Sequence, residues 1–448
     1  MTHPLPVAPS AVRWIARTLE AAGYETWVVG GAVRDALLGL PSPEEWDLTT
    51  RATPQQVRRL FRRTVPIGVE HGTVGVIARD GTMYEVTTFR KDVETDGRRA
   101  KVAFAFSVED DLARRDFTVN AMAWHPLREE LLDPFGGAAD LEAGLLRTVG
   151  EPGERIAEDF LRILRALRFA GRFGLAVEEE TWRALCDATP RLRSLSAERV
   201  REELMKVLAA DVRPSRALGL YVASGALRVS YPEIQEAVER GLDDNPDPWT
   251  RTMLAIDWLP PGRPLLRLTA LLRMVRPAEA VAILMRLRFS NARVGFVGAL
   301  VADPPLPRSD AGAAAFRRWL SAVGERWVAA VRLEMADARV RIALGLAGPA
   351  PRDVVAAWRR VRGVRAETPP LRVRDLALGG RDLIRLGLRP GPSFRTILAH
   401  LLELVLEDPA LNRREILERE AMAFATSLDE LDEVDEMNAP GGKDTADG

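Results

Sequence analysis

The sequence predicts an α+β fold: a mixed α/β segment at the amino end followed by an all-α remainder. Two observations carry this prediction. Up to about Leu145, short runs rich in Val, Thr and aromatic residues alternate with stretches whose apolar residues recur at helical spacing. From there to Phe424 nearly every segment reads as a helix bounded by Pro/Gly loops.

In order along the chain, Val12, Ile15, Ala16 and Leu19 mark a helix over Ser10 to Gly23, closed by glycine. TWVVGG is a short strand ending in two glycines, and AVRDALLGL restarts as a helix stopped by Gly39 and Pro41. WDLTT reads as a second strand, and TPQQVRRLF opens a helix at a Thr cap. TVGVIA and MYEVTTF form a hairpin around Arg79-Asp80-Gly81. Beyond it, ERIAEDFLRILRALRFAGRFG and ERVREELMKVLAA are amphipathic helices.

Composition excludes several classes. The chain has 448 residues, 47% of them apolar and 28% charged, as in an ordinary globular protein. At about 150 residues per domain this length implies about three domains. Cys186 is the only cysteine and the four histidines lie far apart, so a disulfide framework and a Cys- or His-rich metal cage are excluded. There is no apolar run long enough to span a bilayer, and MTHPLPVAPS lacks a basic and apolar leader, so a soluble, intracellular protein is expected. Net charge is −1, but from Ser427 onward eight acidic residues face one lysine, leaving +6 on the rest. Of 63 basic residues 59 are Arg, the side chain suited to bidentate phosphate contact.

The candidate site begins at Gly30. A Gly-Gly after a strand lets a phosphate approach the backbone, and Arg34 on the next turn can meet it with a charged fork. Alone, the pair means only a tight strand-to-helix turn. Glu45 and Asp47 follow, two apart in the WDLTT strand, so both carboxylates share a face and can hold divalent cations. Glu44 competes with Glu45 for that part, but only Glu45 shares the face of Asp47. Glu85, in the hairpin strand, offers a third carboxylate. Further on, Asp159, Arg162, Arg165 and Arg168 succeed one another at i+3 on one helix, a row that winds by about 60° per step. The plainer reading of that row is a basic stripe bracing a helix. His71 reads as a turn residue, and the charged segment Arg90 to Arg99 as a solvated hairpin loop.

Taken together, GGAVRDALLG, EEWDLTT, HGTVGV, YEVTTF, RRDFTVNAMAW, LLDPFGG, LLRTVG and EDFLRILRALRF, in that order, resemble the nucleotidyltransferase superfamily. Within it they are similar to the class II tRNA nucleotidyltransferase (CCA-adding) and bacterial poly(A) polymerase group. Weaker similarity continues through SNARVGFV and LALGGRDLIRLGLRPGPSF to the LNRREIL segment. The resemblance implies a nucleotidyltransferase head (1–145), a helical neck with the nucleotide-selecting helix (146–210), a helical body (211–315), an RNA-binding helical tail (316–426) and an acidic disordered terminus (427–448). It implies that Glu45 and Asp47 bind Mg²⁺, with Glu85 as the third catalytic carboxylate. Gly31, Arg34 and Arg115 would hold the triphosphate. Family members usually have Asp where Glu45 stands, so the metal would sit differently here. Family members often carry a phosphohydrolase His-Asp pair after the neck; here Arg273 and Met274 occupy that place, and Leu265 to Val275 is expected to serve packing only. The segment from Arg90 to Arg99 falls where the family has a mobile element used in switching from C to A.

The resemblance also assigns Asp159 and Arg162 to imitate a base-pairing partner, with Arg165 and Arg168 in support. Elementary hydrogen bonding agrees with this assignment. Cytosine and adenine each present an NH₂ donor beside a ring-nitrogen acceptor, matching an Asp acceptor beside an Arg donor. Uracil and guanine present the reverse, and each group left unpaired costs about 1–3 kcal/mol. The function implied is CCA addition to the tRNA 3′ end from CTP and ATP, in the cytoplasm, with tRNA as partner and neither DNA nor membrane. The alternatives are a CC-adding or A-adding specialist, a poly(A) polymerase, or a catalytically inactive RNA-binding protein. The full-length loop between Phe89 and Phe106 disfavours a CC-only enzyme.

Overall fold

The computed structural model describes residues 6–41, 45–68, 72–95, 100–210, 213–241 and 246–438. Glu44 and His71 lie outside the described residues, as do residues 96–99 of the Arg90–Arg99 loop. The chain folds as two compact units, 1–294 and 295–448, and the expected body segment at 211–315 is divided between them.

In the first unit α1 (Ser10–Ala21), β1 (Thr26–Val29), α2 (Gly31–Leu37), β2 (Asp47–Thr50) and α3 (Pro54–Leu60) follow the sequence pattern. Thr53 caps α3 in a box with Gln56. The strands β3 (Thr64–Gly68), β4 (Thr73–Ile77) and β5 (Met83–Thr88) come next. The β4–β5 hairpin turns at Gly81, whose φ of +86° favours glycine. A separate hairpin of β6 (Arg90–Thr95) and β7 (Ala100–Phe104) leads to α4 (Val108–Ala113), and β8 (Ala123–His125) and β9 (Glu130–Leu132) complete the strands of the head. Seven strands pair in the order β3-β4-β5-β2-β1-β8-β9, antiparallel except for β2 beside β5. Sequence patterning misses β3 because Pro66 interrupts it. An edge strand tolerates that proline, having one side free of ladder bonds.

Helices follow the sheet: α5 (Gly137–Glu142), α6 (Pro152–Glu158), α7 (Leu161–Phe173), α8 (Glu179–Ala188), α9 (Ala197–Ala209) and α10 (Pro214–Ala223). One long helix is expected through EDFLRILRALRF, but the chain breaks at Asp159, whose backbone is extended (φ −155°, ψ 105°). The Asp159 carboxylate accepts the Leu161 N–H at 3.0 Å and so caps the restarted helix. Gly171 lets α10 close onto α7: a Cβ there would lie 2.5 Å from the Ala217 backbone. The segment expected to serve packing only does bury Leu266, Leu268, Leu271 and Leu272. It also carries Arg267, fully buried, which donates to the carbonyls of Leu208 (2.9 Å), Ala210 (2.6 Å) and Leu259 (2.9 Å) and thereby caps the end of α9.

In the second unit, helices Ser393–Glu407 and Arg414–Asn438 bury Leu401, Val405, Leu417 and Ala421 in one core. Buried Arg317 donates to the carbonyls of Leu406 (2.6 Å) and Glu407, closing the end of the first of these helices. Contrary to the disordered terminus expected from Ser427, the last helix continues to Asn438. Its Glu, Leu and Met residues are good helix formers, no Gly or Pro intervenes before Pro440, and extending a docked helix escapes the nucleation cost. Among the residues whose side chains are described, Leu428 is the last one packed on that core. Deleting Asp429 to Gly448 should therefore leave the melting temperature unchanged; a drop in a thermal melt would show that the acidic end docks on the protein.

Candidate active site

The open face of the sheet and the start of the helical region enclose a cleft of about 620 Å³. Period-two alternation builds its floor. Trp46 and Leu48 are buried beneath the sheet, while Glu45, Asp47 and Thr49 line the cleft. Beside them, Glu85 and Thr87 line it from the parallel neighbour β5. Glu45 is expected within the strand, but β2 starts at Asp47 and Glu45 stands just before it, exposed. The alternation nevertheless holds through Glu45, so both carboxylates meet the same cleft.

None of Glu45, Asp47 and Glu85 makes a hydrogen bond or ion pair among the described residues, and their charges act on one another. Partial desolvation at the cleft floor pushes the Asp47 carboxyl above its ordinary range, Glu45 adds to the rise, and the Arg115 guanidinium opposes it. Glu85 is raised by desolvation and then by Asp47 and Glu45. Such unpaired hard oxygen donors fit a divalent cation. No three metal-ligating side chains among the described residues stand close enough to enclose an ion by themselves, so triphosphate oxygens and water would have to complete its shell.

The opposite walls are basic. Gly30 sits at φ +73°, and the space where its Cβ would be lies 3.1 Å from the Arg115 guanidinium. A side chain at that turn would displace the arginine. Arg115 reaches the Asn120 carbonyl (3.3 Å) and Asp111 (3.4 Å), while its buried Nε has no hydrogen-bond partner. Arg34 is buried; it donates twice to Asp35 (2.8 and 2.6 Å) and once to the Asn120 side chain (2.5 Å), and its guanidinium lies 4.4 Å from the Phe173 ring centroid. Of its five N–H groups about two remain for a ligand. Burial lowers the Arg34 pKa, and Asp35 opposes the change.

A buried chain of hydrogen bonds crosses from this wall to α7. Asn120 donates to Asp116 at 3.1 Å, and Arg165 meets the other Asp116 oxygen at 2.6 Å. Burial alone would raise Asp116; Arg165, with Asn120 and Arg162, outweighs that and holds the carboxyl below its usual range. Arg168 pairs with buried Glu203 at 2.7 Å and stacks 4.1 Å over the Phe169 ring.

All ten residues singled out from the sequence line this one cleft: Gly31, Arg34, Glu45, Asp47, Glu85, Arg115, Asp159, Arg162, Arg165 and Arg168. Asp159 and Arg162 do not pair with each other. Asp159 forms an ion pair with Arg199 of α9 (2.6 Å), and Arg162 is held by Glu158, the Arg155 carbonyl and the Arg114 carbonyl (3.1 Å). Sequence reasoning misses Asp111, Asp116, Asn120 and Arg199. Asp116 and Asn120 stand in RRDFTVN, where nothing local assigns either of them a partner.

Residues 26–147 match the family model described as the poly A polymerase head domain, and residues 174–238 the one described as a probable RNA and SrmB-binding site of polymerase A. The head is that of a nucleotidyltransferase. The CCA-adding enzyme of Levilactobacillus brevis is 32% identical over 411 residues, covering 89% of this chain and 93% of that protein. That of Lactiplantibacillus plantarum is 46% identical over 206 residues, and this alignment spans only half of the relative. The structure of the Bacillus stearothermophilus CCA-adding enzyme in complex with CTP superposes with a TM-score of 0.73 at 29% identity, covering 94% of this chain and all of that one. The chain belongs to the family of CCA-adding enzymes.

The electrostatics of the floor predict opposite shifts. Glu45→Gln removes a like charge and should lower the Asp47 pKa, whereas Arg115→Gln removes an opposite charge and should raise it. Carboxyl titration of Asp47 by NMR in metal-free protein checks both signs.

Proposed function

We propose that the protein is a template-independent tRNA nucleotidyltransferase of the cytoplasm, which adds C, C and A to the tRNA 3′ end from CTP and ATP. The observation that supports this best is the convergence of acceptor carboxylates and phosphate-binding arginines on one cleft, in a chain of this family. No helix among the described residues is long and apolar enough to cross a membrane.

In this reading Arg115, with its unpartnered Nε, and the remaining donors of Arg34 hold the triphosphate over the Gly30–Gly31 turn. The RNA 3′-oxygen attacks the α-phosphorus in line, the bond to the β-phosphate oxygen breaks, and pyrophosphate leaves. Glu45 and Asp47 are the residues that would hold Mg²⁺, with Glu85 as the third carboxylate of the floor; the ion when bound would make the 3′-hydroxyl more acidic and offset the charge of the departing pyrophosphate. Asp159 accepts from the base NH₂ and Arg162 donates to the ring nitrogen. Glu158 and Arg199 hold these two selectors at the cleft wall, and Arg165 and Arg168, fixed by Asp116 and Glu203, keep α7 rigid behind them.

The test is to incubate the protein with tRNA transcripts ending before A, before CA and before CCA, each with one or two labelled nucleotides. The reading predicts addition of one, two and three nucleotides in that order, and none from UTP or GTP. Stopping after CC, or extension beyond A, would assign the specialist or the polymerase instead. Asp47→Ala should reduce extension at least about a hundredfold, the scale of losing a preorganised group at a reacting centre, while tRNA binding persists.

A further inference from the structure

The open face of the sheet does not end at the carboxylates. The parallel register of β2 and β5, continued one residue back, sets Asp47 beside Glu85; Glu85 is opposite Gly75 of β4, and Gly75 opposite Val65 of β3. Opposed residues of antiparallel strands point to one side, as do residues two apart on a strand, so Val65 and Met83 stand on the face that carries Glu85. Gly75 lies beneath two side chains: a Cβ there would come 2.7 Å from Ile67 Cδ1 and 2.8 Å from Met83 Sδ. Glycine weakens a strand interior, but at this position it lets Ile67 and Met83 lie flat across β4. Val65, Ile67 and Met83 are 37, 42 and 48% exposed, whereas Val74, Val76 and Val86 on the opposite face are buried in the core. The three exposed side chains thus form an apolar platform apart from the core, beginning about 7 Å from Glu85, two residues along β5.

The order of the strands says what would meet this platform. The Gly30–Gly31 turn, with Arg34 and Arg115 around it, follows β1 on one side of Asp47, while β5, β4 and β3 extend on the other. In-line displacement sets the attacking oxygen opposite the leaving group. With the triphosphate over the glycine turn, pyrophosphate departs toward β1 and the RNA 3′-oxygen comes from the β5 side, which lays its own nucleoside over β4 and β3. The platform carries no side-chain N–H or O–H, so it cannot read a base edge, and contact with a base face tolerates any sequence. That suits an acceptor whose last base changes with each addition, from whatever base precedes CCA to C and then C. The unbranched Met83 side chain adapts to bases of different size. Strand addition by a second copy is a poor alternative, because Pro66 and the register shift between Pro66 and Gly68 interrupt the β3 edge.

We propose that Val65, Ile67 and Met83 seat the 3′-terminal base of the acceptor RNA and so position its 3′-hydroxyl at the carboxylate floor. The inference rests on the reading of the protein as an RNA nucleotidyltransferase and names the part of the substrate that these side chains hold.

The test is CMP addition at saturating CTP to tRNA transcripts that stop before CCA and end in each of the four bases, and to one whose last nucleotide keeps its ribose and 3′-hydroxyl but lacks its base. The unaltered protein is compared with Ile67→Thr/Met83→Thr, since threonine suits a strand, and a thermal melt confirms that the variant is folded. The double substitution should lower kcat/KM for RNA about tenfold, the scale of one apolar side chain left uncovered, alike for all four ends and with KM for CTP unchanged. The unaltered protein should lose a similar factor on the baseless end, and the variant should lose little more there, because both changes remove the same contact. If the unaltered protein extends no RNA, the proposed function fails and this inference falls with it. If it extends RNA, but the two losses multiply, or the substitution only breaks up a dimer and leaves RNA use unchanged, the inference alone is overturned.

Discussion

Much of the cleft depends on one buried chain of polar contacts, Arg34–Asn120–Asp116–Arg165. It starts beside the Gly-Gly turn of the sheet and ends on α7, so it fixes the wall proposed to hold phosphates and the helix of the wall proposed to select the base relative to each other. Asp116 and Arg34 are both buried. A charge so placed is tolerable only while its partners stay in position, and removing one partner of such a pair costs about 3–5 kcal/mol. The same requirement makes the arrangement specific: alternative placements of α7 would strand a charged group away from water. Phe169 and Phe173 extend the constraint by presenting ring faces to Arg34.

The two tasks of the proposed function would therefore rest on different elements. The carboxylates sit on β2, on the residues just before it and on β5, where strand alternation aligns them without help from the helices. The pair proposed to face the base, Asp159 and Arg162, sits at the break between α6 and α7, where a carboxylate that would lie on a continuous helix is instead turned out and tied to Arg199. Under the proposed function, chemistry and choice of nucleotide could then vary independently, because the residues proposed for each belong to separate parts of the fold.

Local pattern made much of this legible. Alternation placed Asp47 and Glu85 on strands, the Thr53 cap placed α3, and the ordered motifs named the candidate residues. What local pattern could not supply is partnership over long separations. Asp116 and Arg165 are 49 residues apart, and Asp159 and Arg199 are 40 apart; nothing local marks either pair. The break at Asp159 escaped because LRILRALRF and the turn before it share one helical period, whereas the chain is extended at Asp159 and its carboxylate, held by Arg199, caps the restarted helix at the Leu161 N–H. Pro66 hid β3, since sequence alone does not say which strand will be an edge. The helix past Ser427 escaped because a charged composition argues against packing while leaving local helicity open.

The central claim is that Asp159 and Arg162 choose the base while a separate carboxylate floor runs the reaction. The most direct measurement is competition among all four nucleoside triphosphates for a tRNA lacking CCA, using folded Asp159→Ala protein. Transfer is expected to continue while discrimination against UTP and GTP falls about ten- to a hundredfold, the worth of one hydrogen bond to a charged group. Equal loss of rate for every nucleotide with unchanged selectivity would contradict it, leaving Asp159 as the cap and brace of the neck helix and nothing more.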